Sequence, residues 1–73
     1  MKGTEPSVYT VIEVVGTSDH FWSDAARNAV ETAAKNLRDL SVAEVVKLDM
    51  TVDENKVHLF RARVNLSFKF EGI

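Results

Sequence analysis

The sequence predicts an α+β protomer with elements in the order β-α-β-β, its three-stranded antiparallel sheet of order 1-3-2 wrapped around one helix. Three observations predict it. Residues 20–40 (HFWSDAARNAVETAAKNLRDL) place apolar side chains at steps of three and four, the period of one helix face. Residues 57–70 (VHLFRARVNLSFKF) alternate: Phe60, Ala62, Val64, Leu66, Phe68 and Phe70 point one way, and Arg61, Arg63, Asn65, Ser67 and Lys69 the other. Two further stretches rich in β-branched residues, 7–15 and 42–52, flank the helix. A right-handed crossover through the helix leaves a slot between the first two strands. The third strand, arriving by a hairpin, fills it.

Residues 1–6 contain Gly3 and Pro6 without periodicity and read as a flexible lead-in to a single domain spanning 1–73. In the first strand Val8, Thr10, Ile12 and Val14 share one face, and Tyr9, Val11, Glu13 and Val15 the other. Both faces are largely apolar, which predicts burial on both sides. Gly16 should break this strand. Ser18 or Asp19 should cap the helix, because a side-chain oxygen there can accept an unpaired N–H of the first turn.

The helix face carries Trp22, Ala25, Ala26, Ala29, Val30, Ala33, Ala34, Leu37 and Leu40. Its many alanines make it narrow and let a sheet approach closely. On the polar side, Glu31 and Lys35 stand one turn apart, a pair that contributes about 0.2–0.5 kcal/mol. Ser41 marks a short turn. In the second strand, simple alternation groups Val42, Glu44, Val46, Leu48, Met50 and Val52 against Ala43, Val45, Lys47, Asp49 and Thr51. Asp53, Glu54, Asn55 and Lys56 form a turn of hairpin length. Residues 71–73 are a short tail.

At 73 residues the chain forms one domain. A domain this small buries only about 60% of its unfolded surface, so it needs an added source of stability. It has no cysteine, hence neither a disulfide nor a thiolate metal site. A net charge of −2 argues against nucleic acid as a partner. No apolar run reaches the length of a membrane span, and no apolar segment of signal-peptide type precedes Pro6. The expected location is cytoplasmic. One helix covers one face of a sheet three strands wide, yet the first two strands carry more apolar side chains than it can cover. Such a surplus predicts an obligate homo-oligomer.

No catalytic motif is readable, and we expect no enzyme. His20 and His58 stand apart, without ligand spacing, and read as surface histidines. Gly16 is alone, with no phosphate-binding glycine pattern. Trp22 reads as a core or interface anchor, with ligand stacking as the sharper alternative. No calcium-binding loop of EF-hand type is present. Glu44 falls among apolar neighbours, where a carboxylate must be paired, protonated or metal-bound. Pairing with Arg61 or Arg63 and ion binding both remain open. Arg61 and Arg63 themselves suit either salt bridges or an anionic ligand such as a phosphate group.

Four stretches carry a family resemblance: VGTS at 15–18, AA-x-x-AV at 25–30, LRDL-x-VAEVV at 37–46 and RARVNLSFKFE at 61–71. Together they resemble the dodecin family over residues 8–71. The resemblance implies a hollow homododecamer of such protomers, non-enzymatic, that binds flavins (riboflavin or FMN) in stacked pairs between tryptophans, with a glutamine at the ring edge. This chain has Val42 at the tryptophan position and Arg61 at the glutamine position. Val42, Glu44 and Arg61 are therefore the positions matching or flanking the flavin pocket. The pattern is similar to a branch lacking the stacking tryptophan, one kind of which is a calcium dodecin. Its ion ligands do not carry over by position, and Glu44 is the candidate metal ligand on the strength of its apolar neighbours. Three functions follow as expectations: a binder or sequesterer of small ligands or ions, a flavin store giving photoprotection, or a purely structural oligomer.

Overall fold

A computed structural model describes residues 7–69. It contains β1 (Tyr9–Ser18), α1 (Trp22–Ala34), β2 (Leu40–Asp53) and β3 (Lys56–Lys69). The sheet is antiparallel with order β1-β3-β2, as the crossover argument predicts. The lead-in, Phe70 and the tail lie outside the described residues.

The helix packs on the sheet face formed by Ala62, Val64 and Leu66, and these three join Ala25 and Ala29 in the buried core. Ile12, Val14, Ala26, Val30, Ala33, Leu37 and Leu40 close around them. The small residues decide the spacing. Gly16 pairs with Ala62 in the ladder, directly beneath Ala25 and Ala29. The narrow alanine face does bring the sheet close.

Four details depart from the alternation and capping arguments. Gly16 does not break β1; the strand runs on to Ser18, because the missing side chain is where the helix crosses. The helix N-cap is Phe21, without a side-chain cap bond. Ser18 Oγ instead accepts the backbone N–H of His20 at 2.9 Å and turns the chain between strand and helix. The helix ends at Ala34, not Leu40. Its last N–H groups tighten into Lys35 N to Thr32 O (3.3 Å) and Asn36 N to Ala33 O (3.0 Å). Leu37 and Leu40 keep the helical period in sequence but reach the core from the connection and from β2.

The fourth departure matters most for function. The β2–β3 register slips between Val45 and Lys47, so Val46 is an extra residue in β2. Alternation therefore changes phase at Val46. Val45, Leu48 and Met50 pair with Val64, Ala62 and Phe60 and share the helix-side face. Glu44 pairs with Asn65, and Lys47 with Arg63, on the opposite face. Glu44 thus does not sit among the apolar residues of its strand; the bulge transfers it to the polar face, and it is exposed.

The strands outrun the helix. Fourteen residues of β2 or β3 extend about 46 Å at roughly 3.3 Å per residue. Thirteen helical residues cover only about 20 Å at 1.5 Å each. The molecule accordingly measures 56 × 20 × 17 Å, and the helix covers β1 and β3 while leaving β2 largely bare. Val45, Leu48 and Met50 remain 49%, 49% and 43% exposed in the protomer.

Candidate functional site

The sheet face away from the helix collects the predicted site residues. Antiparallel partners carry side chains on the same face, so the register reads as four rows across the strands. They are Thr17–Arg61–Asp49, Val15–Arg63–Lys47, Glu13–Asn65–Glu44 and Val11–Ser67–Val42. Val42, Glu44 and Arg61 all lie here. They do not converge, however. Val42 is opposite Ser67, six residues along β3 from Arg61, which is about 20 Å at strand rise. One small ligand cannot touch both within a single protomer.

The arginines choose partners other than Glu44. Arg61 donates Nε to Asp49 Oδ1 at 2.7 Å and Nη2 to Asp49 Oδ2 at 2.8 Å, a two-pronged pair. Arg63 donates Nη1 to Glu13 Oε1 at 3.2 Å. The hydrogen bond from Arg61 holds the Asp49 carboxyl below the usual carboxylate range, with the charges of Arg61, Lys47 and Arg63 adding to it against desolvation. Asp49 in turn raises the Arg61 guanidinium above its ordinary value. Both side chains remain about one-third exposed, at 36% and 35%, so the pair is a surface ion pair and contributes little to stability.

Asp49 is gripped from both faces. Its carboxylate meets Arg61 on the polar face, and its carbonyl oxygen accepts Trp22 Nε1 from the helix side at 3.0 Å. The Trp22 ring stands edge-on to Phe60, with centroids 5.1 Å apart, and to Phe21 at 5.6 Å. Trp22 is therefore an anchor between helix and sheet. It belongs to the face opposite Val42. His20 is exposed beside Asp19, 2.9 Å away, and His58 is exposed at the far end of β3, in keeping with their reading as surface histidines.

Asp49 and Glu13 were not legible as the arginines' partners. A two-residue hairpin between Asp53 and Lys56 sets Asp49 opposite Phe60 if counted evenly. The register shift between Thr51 and Val52 moves it by one, opposite Arg61. No local sequence signal announces that shift. Among the described residues, no three of His, Cys, Asp and Glu are grouped so as to hold a metal ion. Among the same residues, no helix is long and apolar enough to cross a membrane.

Comparison with known proteins agrees with this architecture. The Dodecin family model matches residues 8–71. The calcium dodecin of Mycobacterium tuberculosis is 41% identical over 63 residues, covering 86% of this chain and 89% of the relative. Its crystal structure, described as a calcium-chelating antigen with a novel calcium-binding site, superposes with a TM-score of 0.80 at 39% identity, over 90% of this chain and 94% of that one. The dodecin of Streptomyces coelicolor superposes over the full length of both chains, with a TM-score of 0.84 at 33% identity. A variant of the Thermus thermophilus dodecin gives 0.82 at 32% identity, over 90% of this chain and 98% of that one. With the strand order, the buried small-residue contact and a family match over nearly its whole length, this chain belongs to the dodecin family.

Proposed function

We propose that this chain assembles into a hollow homododecamer, without enzymatic activity, that binds or sequesters a small ligand or ion, calcium foremost. The observation that carries the choice of ion over flavin is residue 42. The position of the stacking aromatic holds a valine, 56% exposed on the polar face of the sheet. A branched aliphatic side chain offers no flat ring, and stacking of that kind contributes about 1–3 kcal/mol per base in comparable aromatic platforms. Trp22 is committed to Asp49 on the other face.

Calcium is supported by the M. tuberculosis relative, which is named for it. A calcium ion takes six to eight oxygen ligands, carboxylates foremost, and the described residues of one protomer do not gather even three acidic or histidine side chains. Such an ion would draw its oxygens from several protomers, where symmetry brings copies of one carboxylate together, and exposed Glu44 is the candidate. Self-association is supported by the bare apolar side of β2, with Val45, Leu48 and Met50, a surface unusual for a soluble monomer.

Native mass spectrometry of the untreated purified protein tests the reading. The expected species is a dodecamer carrying calcium-mass adducts that EGTA strips and that Glu44→Gln reduces. Flavin-mass adducts would instead establish flavin storage and photoprotection. A dodecamer bare in repeated preparations would favour the purely structural role. A smaller assembly would overturn the shell itself.

A further inference from the structure

We propose that Asp49 sets the ligand class of the polar sheet face: its carboxylate occupies the Arg61 guanidinium and excludes phosphate- and carboxylate-bearing small molecules from it. The proposal rests on the reading of this protein as a small-ligand or ion binder.

Three cations lie in two adjacent rows. Arg61 is opposite Asp49, and Arg63 is opposite Lys47 on the same strands. A planar guanidinium with one edge open is a fitted site for a carboxylate or phosphate, because two parallel N–H groups match two oxygens. Here that edge is taken. Nε and Nη2 of Arg61 both donate to Asp49, at 2.7 and 2.8 Å. Arg63 is held less completely, by one bond of 3.2 Å to Glu13. The Asp49 carboxylate thus stands where an anionic ligand would place its own oxygens, amid the fields of Lys47 and Arg63 as well.

The competition is unequal. Asp49 is delivered by the strand register, with its backbone also fixed by Trp22. It acts as a tethered ligand whose effective concentration is at least in the millimolar range. A free anion must displace it and gains only the same pair of bonds. The pair is nevertheless about one-third exposed in the protomer, so an anion can reach Arg61 once the carboxylate is gone. Asp49 is then a specificity-determining residue. It leaves this face to neutral or cationic ligands, which accords with an ion-binding shell and opposes the retention of FMN through its phosphate.

The test is calorimetric titration of the assembled protein with inorganic phosphate in calcium-free buffer. Asp49→Asn keeps the side-chain size and removes the charge. It should bind phosphate about tenfold more tightly than the parent, the scale of one charge-assisted pair. Adding Arg61→Gln to that variant should return the affinity to the parent value. Unchanged phosphate affinity in a folded, assembled Asp49→Asn protein overturns the proposal. The unmodified protein provides a second test, whatever the variant's folding. Its Arg61 Nε–H resonance should not move with phosphate, and a saturable shift there overturns the proposal equally. Calcium binding is measured separately, so a protein that takes no calcium would fail the functional reading and leave the phosphate result standing.

Discussion

Gly16 of β1 faces Ala29 of α1 across a gap that admits no side chain. A Cβ on Gly16 would stand 2.8 Å from the Ala29 Cβ and closer still to the Ala25 carbonyl oxygen. The backbone of Gly16 is not in the left-handed region, so space alone demands glycine here. Gly16→Ala should therefore destabilise by about 1–3 kcal/mol, the usual cost of overpacking a close contact. Urea unfolding at fixed protomer concentration measures it, since assembly makes stability concentration-dependent. A stabilised Gly16→Ala protein would contradict the close helix–sheet contact.

Trp22→Phe isolates the anchor's hydrogen bond. The ring contacts with Phe60 and Phe21 are largely kept, while the N–H donor to the Asp49 carbonyl is lost. A loss of about 1 kcal/mol is expected, read from the urea midpoint. Because Trp22 lies on the face away from Val42, the bound mass seen by native mass spectrometry should not change. A change in flavin-sized adducts would give Trp22 a ligand role.

The Asp49–Arg61 pair, exposed as it is, predicts a shallow acid limb in the stability profile. The folded carboxyl titrates below its ordinary value, chiefly because Arg61 donates to its charged form. A depressed folded pKa contributes stability that is present above the unfolded value and is lost as the pH falls through the folded one. The contribution should therefore be complete at neutral pH, begin to fall near the ordinary carboxylate value of about 4 and be gone once the pH drops through the folded one. Asp49→Asn and Arg61→Gln should each flatten that limb. A pH titration of the melting temperature over the acid range checks it, and an unaltered limb in both variants would place the titration elsewhere.

The small-residue helix contact was legible because it is written in local periodicity, and the strand order because a right-handed crossover followed by a hairpin leaves β3 one place to go. The alternation of residues 57–70 fixed which side of β3 meets the helix, and Ala62, Val64 and Leu66 are the buried ones. Helix length was misread because Leu37 and Leu40 continue the helical spacing while serving the core from other elements. Asp39, with φ of 57°, is the residue where the chain turns away. The polar face was only half legible. Arg61 could be placed on it from the alternation of β3, but simple alternation separates Val42 and Glu44 from Lys47 and Asp49, whereas the register sets all four on this face. Their positions depend on extra residues in one strand of the ladder, and a bulge is a property of the pairing, not of either strand's sequence.

The two turns offer a prediction free of the site. Glu54 and Asn55 both have positive φ, 50° and 65°, between the paired Asp53 and Lys56. That is the type I′ geometry, for which Asn-Gly is favoured over Glu-Asn. The double change Glu54→Asn and Asn55→Gly should stabilise by about 0.5–1 kcal/mol through relief of left-handed strain. Asp39→Val should do the reverse, because a β-branched side chain tolerates positive φ poorly. Thermal unfolding of both variants at one protomer concentration measures the pair, and equal melting temperatures would deny that these conformations are strained.

The bare side of β2 makes the strongest claim about assembly. Leu48 is on the helix-side face opposite Ala62, yet the helix does not reach it, and it is 49% exposed with Val45 and Met50 beside it. In an isolated protomer, a lysine at this position would keep its charge in water and cost little. In an interface the same charge would be desolvated without a partner, at several kcal/mol. Leu48→Lys should therefore leave the circular dichroism of the fold in place while reducing the assembly to a lower mass by native mass spectrometry. A variant that unfolds would show that the protomer depends on assembly for its stability, as its small size suggests. A variant that assembles as the parent does would remove β2 from the interface and leave its apolar side without an occupant.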